Sequence, residues 1–301
     1  MGAPRLGRVG YINCLPIFYA LEKGLIQVPA RIVADHPSRL NSLLAAGELE
    51  VSAVSSIAYA SLRETCVVLP GLSIASDGPV WSVALLSRVP VSRLEGRRVS
   101  LTPYSATSII LLQILLARFY GIEVELFTRP PGVSPWWGEP EATLVIGDEA
   151  LKFASPPSCP RDCYIYDLGA EWKKFTGKHM VYALWVARRE FAEQSPALLE
   201  EIHRGLQAAR RWGHENRSVV AEAASRLVDL PVSTLVDYFH HLKYELDGDY
   251  LEGLHRFYAC AWQCRLLAQP VQVELWREAD AGGVENGVHH CQGEARSAAE
   301  P

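Results

Sequence analysis

Five of the seven residues from Thr102 to Ser108 (Thr102, Pro103, Tyr104, Ser105, Ala106, Thr107 and Ser108) carry a hydroxyl, and Ser108 opens a long apolar stretch with helical character. Hydroxyls at the start of a helix do two things. They cap backbone N–H groups that have no partner inside the helix, and they add neutral donors where the helix carries partial positive charge. One hydroxyl is enough for a cap, so a cluster points to an anion, above all a carboxylate. Three other polar segments sit in the same kind of place, after a predicted strand and before a helix or turn: Tyr11-Ile12-Asn13, Ser55-Ser56 and Gly147-Asp148-Glu149. Each has a plainer reading. Ser55-Ser56 serves equally as a cap, Asn13 could cap the helix that follows Pro16, and Asp148 could cap the helix starting at Glu149 or act as an acid or base.

Other chemistries find little support. There is no glycine-rich phosphate loop of either common pattern, no G-x-S-x-G elbow and no HExxH. His36, His179, His203, His214, His240, His241 and His255 are scattered, with surface or capping roles as the default. Cys159 with Cys163 and Cys260 with Cys264 share a C-x3-C spacing that raises zinc, and His289-His290-Cys291 raises adventitious metal. Both read more simply as reduced thiols and a polar tail, so no metal and no cofactor is expected. The odd count of 7 cysteines, the lack of a signal-like start and the lack of a long apolar run predict a cytoplasmic protein outside the membrane. The net charge of −5 argues against a nucleic-acid partner.

The polar loops need strands and helices to bring them together. Short apolar runs at Leu6–Val9, Arg31–Ala34, Val51–Val54 and Cys66–Leu69 alternate with helical patterns, as in βα units of a largely parallel sheet. Ser82–Leu86, Arg98–Leu101, Glu123–Phe127, Thr143–Ile146, Tyr164–Tyr166 and Val181–Ala187 continue as strands, and from Ser195 the chain turns helical. The predicted fold is α/β with two lobes and a ligand cleft between them. Residues 1–87 with 187–276 form the first lobe, 88–186 the inserted second lobe, and 277–301 a disordered tail. In open α/β sheets ligands sit beyond the carboxyl ends of strands, which here face one gap from both sides.

The stretches VGYINCLPIFYALEKG (Val9–Gly24), AVSSIAYA (Ala53–Ala60), SDGPVWSVALLS (Ser76–Ser87), LTPYSATSIILLQILL (Leu101–Leu116), VIGDEAL (Val145–Leu151) and YDLGAEWKKFTGKHMVYALW (Tyr166–Trp185) come in an order that resembles the chorismate dehydratases of menaquinone biosynthesis by the futalosine pathway. The resemblance runs from about Arg8 to Leu267, and Leu94 to Val99 resembles the start of the second lobe in type II periplasmic-binding-protein-like folds. It implies a carbon-oxygen lyase that removes water from chorismate to give 3-[(1-carboxyvinyl)oxy]benzoate without a cofactor. It implies that Asn13 and Ser82 contact substrate and orient the departing hydroxyl or the carboxylates, and that Ser56, Thr107 and Ser108 cradle acidic groups; Ser55 and Ser105, in the same hydroxyl-bearing loops, are expected to bind substrate with them. Asp148 stands where a later enzyme of that pathway has a catalytic histidine, which excludes a histidine base there and leaves a carboxylate of the substrate as a candidate. Lys178-His179-Met180 departs from a more apolar stretch at one cleft edge. The alternative is a non-enzymatic solute-binding protein for a small carboxylate.

Overall fold

The computed structural model describes residues 2–154 and 163–277. The expected tail beyond 277, Cys159 and the His289-His290-Cys291 group lie outside the described residues.

The chain begins with β1 (Arg5–Val9), α1 (Leu15–Glu22), β2 (Arg31–Asp35), α2 (Pro37–Ala45), β3 (Val51–Ser55), α3 (Ser56–Leu62) and the long β4 (Cys66–Ser76). It crosses to a second sheet for β5 (Val83–Ser87), β6 (Arg98–Leu101), α4 (Ala106–Ile114), β7 (Glu125–Thr128), β8 (Ala142–Ile146), α5 (Gly147–Ala154), β9 (Tyr164–Asp167) and α6 (Leu168–Thr176). It returns through β10 (Met180–Arg188), α7 (Arg189–Gln194), α8 (Pro196–Glu215), α9 (Arg217–Ser225), α10 (Val232–His241), β11 (Leu242–Lys243) and α11 (Gly248–Gln263).

The first sheet has six strands in the order β11-β4-β10-β3-β1-β2, and the second has five in the order β7-β6-β8-β5-β9. β1, β2 and β3 are parallel, and so are β6, β7 and β8. Their carboxyl ends deliver the polar loops to one region. β10 runs antiparallel to β3 and β4, and β5 antiparallel to β8 and β9, so these two strands bring their amino ends to that same region.

The lobe boundaries differ from the sequence reading. β5, expected in the first lobe, pairs with β8 and β9, so the second lobe begins near Ser82. β10, expected in the second lobe, lies between β3 and β4 in the first sheet. Both strands are short apolar runs, buried on both faces, and such a run carries no mark of which sheet it joins. Pro90, close to the expected boundary at 87/88, sits at the start of a turn inside the second lobe. β4 also outruns its predicted end at Leu69. Irregular register against β10 carries the strand through Pro70-Gly71, where turn residues predicted a stop.

Packing follows the apolar pattern. α1 lies against α8 so closely that a Cβ on Gly213 would come within 1.8 Å of the Pro16 carbonyl oxygen. α8 starts with Pro196 behind Ser195, as expected, though the Ser195 side chain makes no capping bond. Cys260 is buried in α11 and Cys264 follows that helix directly. Among the described residues, no helix is long and apolar enough to cross a membrane.

Candidate active site

The strand ends enclose a cleft of about 260 Å³ between the two lobes. Of the residues expected there, Asn13, Ser55, Ser82, Ser105, Thr107 and Ser108 line it. Ser56 does not. It is fully buried, its hydroxyl donates to the Val181 carbonyl at 2.7 Å, and its own carbonyl accepts from the Tyr258 hydroxyl at 2.7 Å. Two adjacent serines at a strand–helix turn point different ways, and only Ser55 faces the gap. Asp148 also stands off the lining, half-buried behind Gly147, which does line it.

The lining hydroxyls are arranged as donors. Ser55 caps α3, its oxygen accepting from Ala58 N–H at 3.4 Å. The Thr107 oxygen accepts from Ile57 N–H at 3.0 Å. Ser105 caps α4 by accepting from Ser108 N–H at 3.3 Å, and its own proton goes to the Ser108 oxygen at 2.8 Å. A hydroxyl that already accepts a backbone or side-chain proton has its own proton left for a ligand. Ser55, Thr107 and Ser108 therefore each present an O–H group, from both lobes, to whatever occupies the cleft.

Asn13 follows β1 in a short 3-10 turn, Ile12–Cys14. Its carbonyl is fixed by the Tyr244 hydroxyl at 3.0 Å, while its side-chain Oδ1 is buried with no partner among the described residues. A buried amide oxygen without a partner costs stability, so a group kept that way invites a functional explanation. Ser82 stands where the chain enters the second lobe. Its hydroxyl makes a long contact of 3.4 Å to the Val80 carbonyl and lies beside the buried Tyr238 phenol.

Burial holds Tyr11, Cys14 and Tyr182 of the lining in their neutral forms. Desolvation, with the nearby Asp148 charge adding to it, pushes the Tyr11 phenol up to about 12. Burial pushes the Cys14 thiol up to about 12, and it also raises Tyr182. Asp148 is raised above the ordinary carboxylate range by desolvation, opposed by Lys152, and its Oδ1 has no partner among the described residues. No Asp, Glu, Lys or Arg is among the described residues that line the cleft.

Sequence reasoning passed over His36, Ser38 and Asn41, which line the cleft mouth from the start of α2. Their signal was present, because α2 follows β2 with the same strand–polar–helix pattern used for the other four loops. The His36 ring packs edge-on against Tyr104 of the opposite lobe with centroids 5.8 Å apart, and its Nδ1 pairs with the Ser38 hydroxyl at 3.1 Å.

A family profile described as menaquinone biosynthesis matches residues 4–263. The chain belongs to that family. A chorismate dehydratase of Thermus thermophilus is 31% identical over 265 residues, spanning 84% of this chain and 93% of that protein. A 1,4-dihydroxy-6-naphtoate synthase of the same organism is 31% identical over 210 residues, spanning 68% of this chain and 73% of that protein. The periplasmic aliphatic sulphonate binding protein of Escherichia coli superposes with a TM-score of 0.66 over 97% of each chain at 14% identity. The last likeness shows that the chain has a periplasmic-binding-protein-like fold. The first two place the chain among enzymes of menaquinone biosynthesis.

Proposed function

We propose that the protein is a chorismate dehydratase, removing water from chorismate to give 3-[(1-carboxyvinyl)oxy]benzoate. The observation that carries this reading is a cleft furnished with neutral donors from both lobes and with no carboxylate of its own on the lining. The longer span of the match to the dehydratase than to the synthase, and aspartate rather than histidine at 148, favour dehydration.

The reaction asks for donors where charge gathers, exclusion of water and a base. Ser55, Thr107 and Ser108 supply O–H donors for the carboxylates, aided by the amino ends of α3 and α4. When the ring hydrogen beside the enolpyruvyl ether leaves as a proton, its electron pair spreads through the ring alkene onto the ring carboxylate, where those donors hold it. The neighbouring hydroxyl then departs, takes a proton to become water, and the ring becomes aromatic. Asn13 and Ser82 orient the departing hydroxyl. With no Asp or Glu on the lining, the proton goes to the substrate's own enolpyruvyl carboxylate, which then gives it to the departing hydroxyl, closing the balance as one water. Asp148, behind Gly147, does not itself line the cleft; desolvation first, and the Asp148 charge after it, raise the Tyr11 phenol.

Mixing the protein with chorismate and following the diene absorbance, with the product identified by chromatography, tests the proposal. Loss of the diene with formation of the aromatic ether is the expected result. Tight binding without consumption would return the chain to solute binding, the class of protein with which it shares its fold.

A further inference from the structure

Ser82 owes its position to backbone geometry rather than to its own hydrogen bonds. Trp81, just before it, is in the left-handed region at φ 63°, where a large side chain is rarely found. Ser82 N–H returns to the Val80 carbonyl at 2.7 Å, closing a tight three-residue turn around Trp81. Turns of this sense are uncommon and strained, and they persist only where their surroundings over-determine them.

Asp167, at the end of β9, supplies that constraint. One carboxylate does two tasks. It caps α6 by accepting from Ala170 N–H at 2.9 Å, and it accepts from Val80 N–H at 3.0 and 3.1 Å and from Trp81 N–H at 2.6 Å. The first turn of α6 supports the same segment. A Cβ on Gly169 would lie 2.3 Å from the Gly78 carbonyl oxygen, so helix and crossing segment are in backbone contact. From the other side, the Trp81 ring packs on His241 of α10 at 4.4 Å, and the Ser82 carbonyl accepts from Gly147 N–H at 2.7 Å. The turn is therefore held at each of its three residues.

We propose that Asp167 is a positioning residue for the reaction: by holding the Val80 and Trp81 N–H groups it locks the left-handed turn that presents the Ser82 hydroxyl to the cleft. This rests on the reading of Ser82 as a substrate contact. Asp167 does not itself line the cleft.

Asp167→Asn separates the two tasks of the carboxylate. Asparagine caps a helix as well as aspartate does. Its amide keeps one acceptor oxygen for Ala170 and turns an NH2 group, itself a donor, toward the Trp81 N–H. The variant is expected to fold with a thermal midpoint lowered by no more than roughly 2–6 °C for the one N–H left unpaired, to lose roughly tenfold to a hundredfold in kcat with KM within about threefold, and to lose amide-exchange protection over residues 79–83. In a Ser82→Ala background the same change should cost no more than about threefold, because the group it positions is gone. An equal loss in both backgrounds, or no loss in either, would overturn the proposal. If the parent protein does not consume chorismate, the functional reading fails instead, and exchange over residues 79–83 alone decides the role of Asp167, unchanged protection counting against it. Should Asp167→Asn not fold, Asp167→Ser, which caps but cannot reach Trp81, is read the same way. Loss of the fold in both would make the carboxylate a structural requirement and overturn the proposal.

Discussion

The N–H of Ile57, in the first turn of α3, donates to Thr107 Oγ1, in the first turn of α4, at 3.0 Å. The two helices belong to different lobes, so this bond spans the cleft at the point where two donor loops meet. Thr107→Val keeps the shape of the side chain and removes the acceptor. An N–H left unpaired in a partly buried site costs on the order of 1–3 kcal/mol, which for a protein of this size lowers the thermal midpoint by roughly 2–6 °C. The lobes lose their clasp, and KM for chorismate should rise about tenfold for one lost bond plus a displaced donor. Thr107→Ser should restore both. Thermal unfolding and steady-state kinetics on the pair check this; a valine variant with wild-type KM and midpoint would mean the contact does not hold the cleft.

Asn13 should show the opposite sign in stability. Its buried Oδ1 has no partner among the described residues, so Asn13→Ala removes a group that the fold carries at a cost. The thermal midpoint should hold steady or rise, while kcat falls on the order of a hundredfold, as for loss of a preorganised hydrogen-bonding group. Asn13→Ala with a lowered midpoint and unchanged kcat would make the residue structural.

Much of this architecture is written in the chain. The order of short apolar runs and helices foretells two α/β lobes, and the rule that ligands collect at strand ends singles out Asn13, Ser55, Ser105, Thr107 and Ser108, all of which line the cleft. Ser82 is a different case. It is one serine among Val80, Trp81, Val83 and Ala84, with no local pattern, and only the family resemblance marks it. Its place depends on β5 joining the second sheet, a long-range pairing that no nearby residue encodes. Ser55 and Ser56 look alike in sequence. Their side chains part because the start of α3 turns one outward and the Val181 carbonyl of β10, far away in the chain, claims the other. His36 carries the same strand–polar–helix signal, but Pro37 behind it reads as an ordinary helix start, and nothing local shows that Tyr104 of the other lobe packs on its ring.

Asp148 makes a prediction with a pH sign. Desolvation raises its folded-state pKa above the ordinary value, against the opposing Lys152 charge. Folding therefore favours the protonated acid. The group sits in the fold without penalty below its unfolded pKa of about 3.9, and stability is lost as pH rises through the higher folded value. Asp148→Asn mimics the acid, so at pH 7 the variant should melt above the parent. The gap should close as pH falls below about 4, where the parent is protonated too. Removing the charge beside Tyr11 should also let that phenol titrate lower, visible as an earlier tyrosinate absorbance. Parallel melting curves at every pH would contradict the assignment of a half-buried carboxylate raised by desolvation, with Oδ1 unpartnered among the described residues.

The charge pattern of the cleft sets the salt dependence of the reaction. Ligand sites built on Arg or Lys gain affinity from long-range attraction, and added salt erodes it as the Debye length shrinks from about 10 Å at 0.1 M to about 3 Å at 1 M. Here the protein carries a net charge of −5, and His36 is the one side chain on the described lining that can bear a positive charge. A dianionic substrate therefore approaches against a weak repulsion and is held by short-range O–H and N–H donors, which salt hardly screens. KM should stay within about twofold, or fall slightly, between roughly 0.05 and 0.5 M salt, and His36→Gln should leave that response unchanged. A KM climbing by about tenfold over the same range would reveal a cation in contact with the substrate, and the neutral-donor account of the cleft would have to be given up.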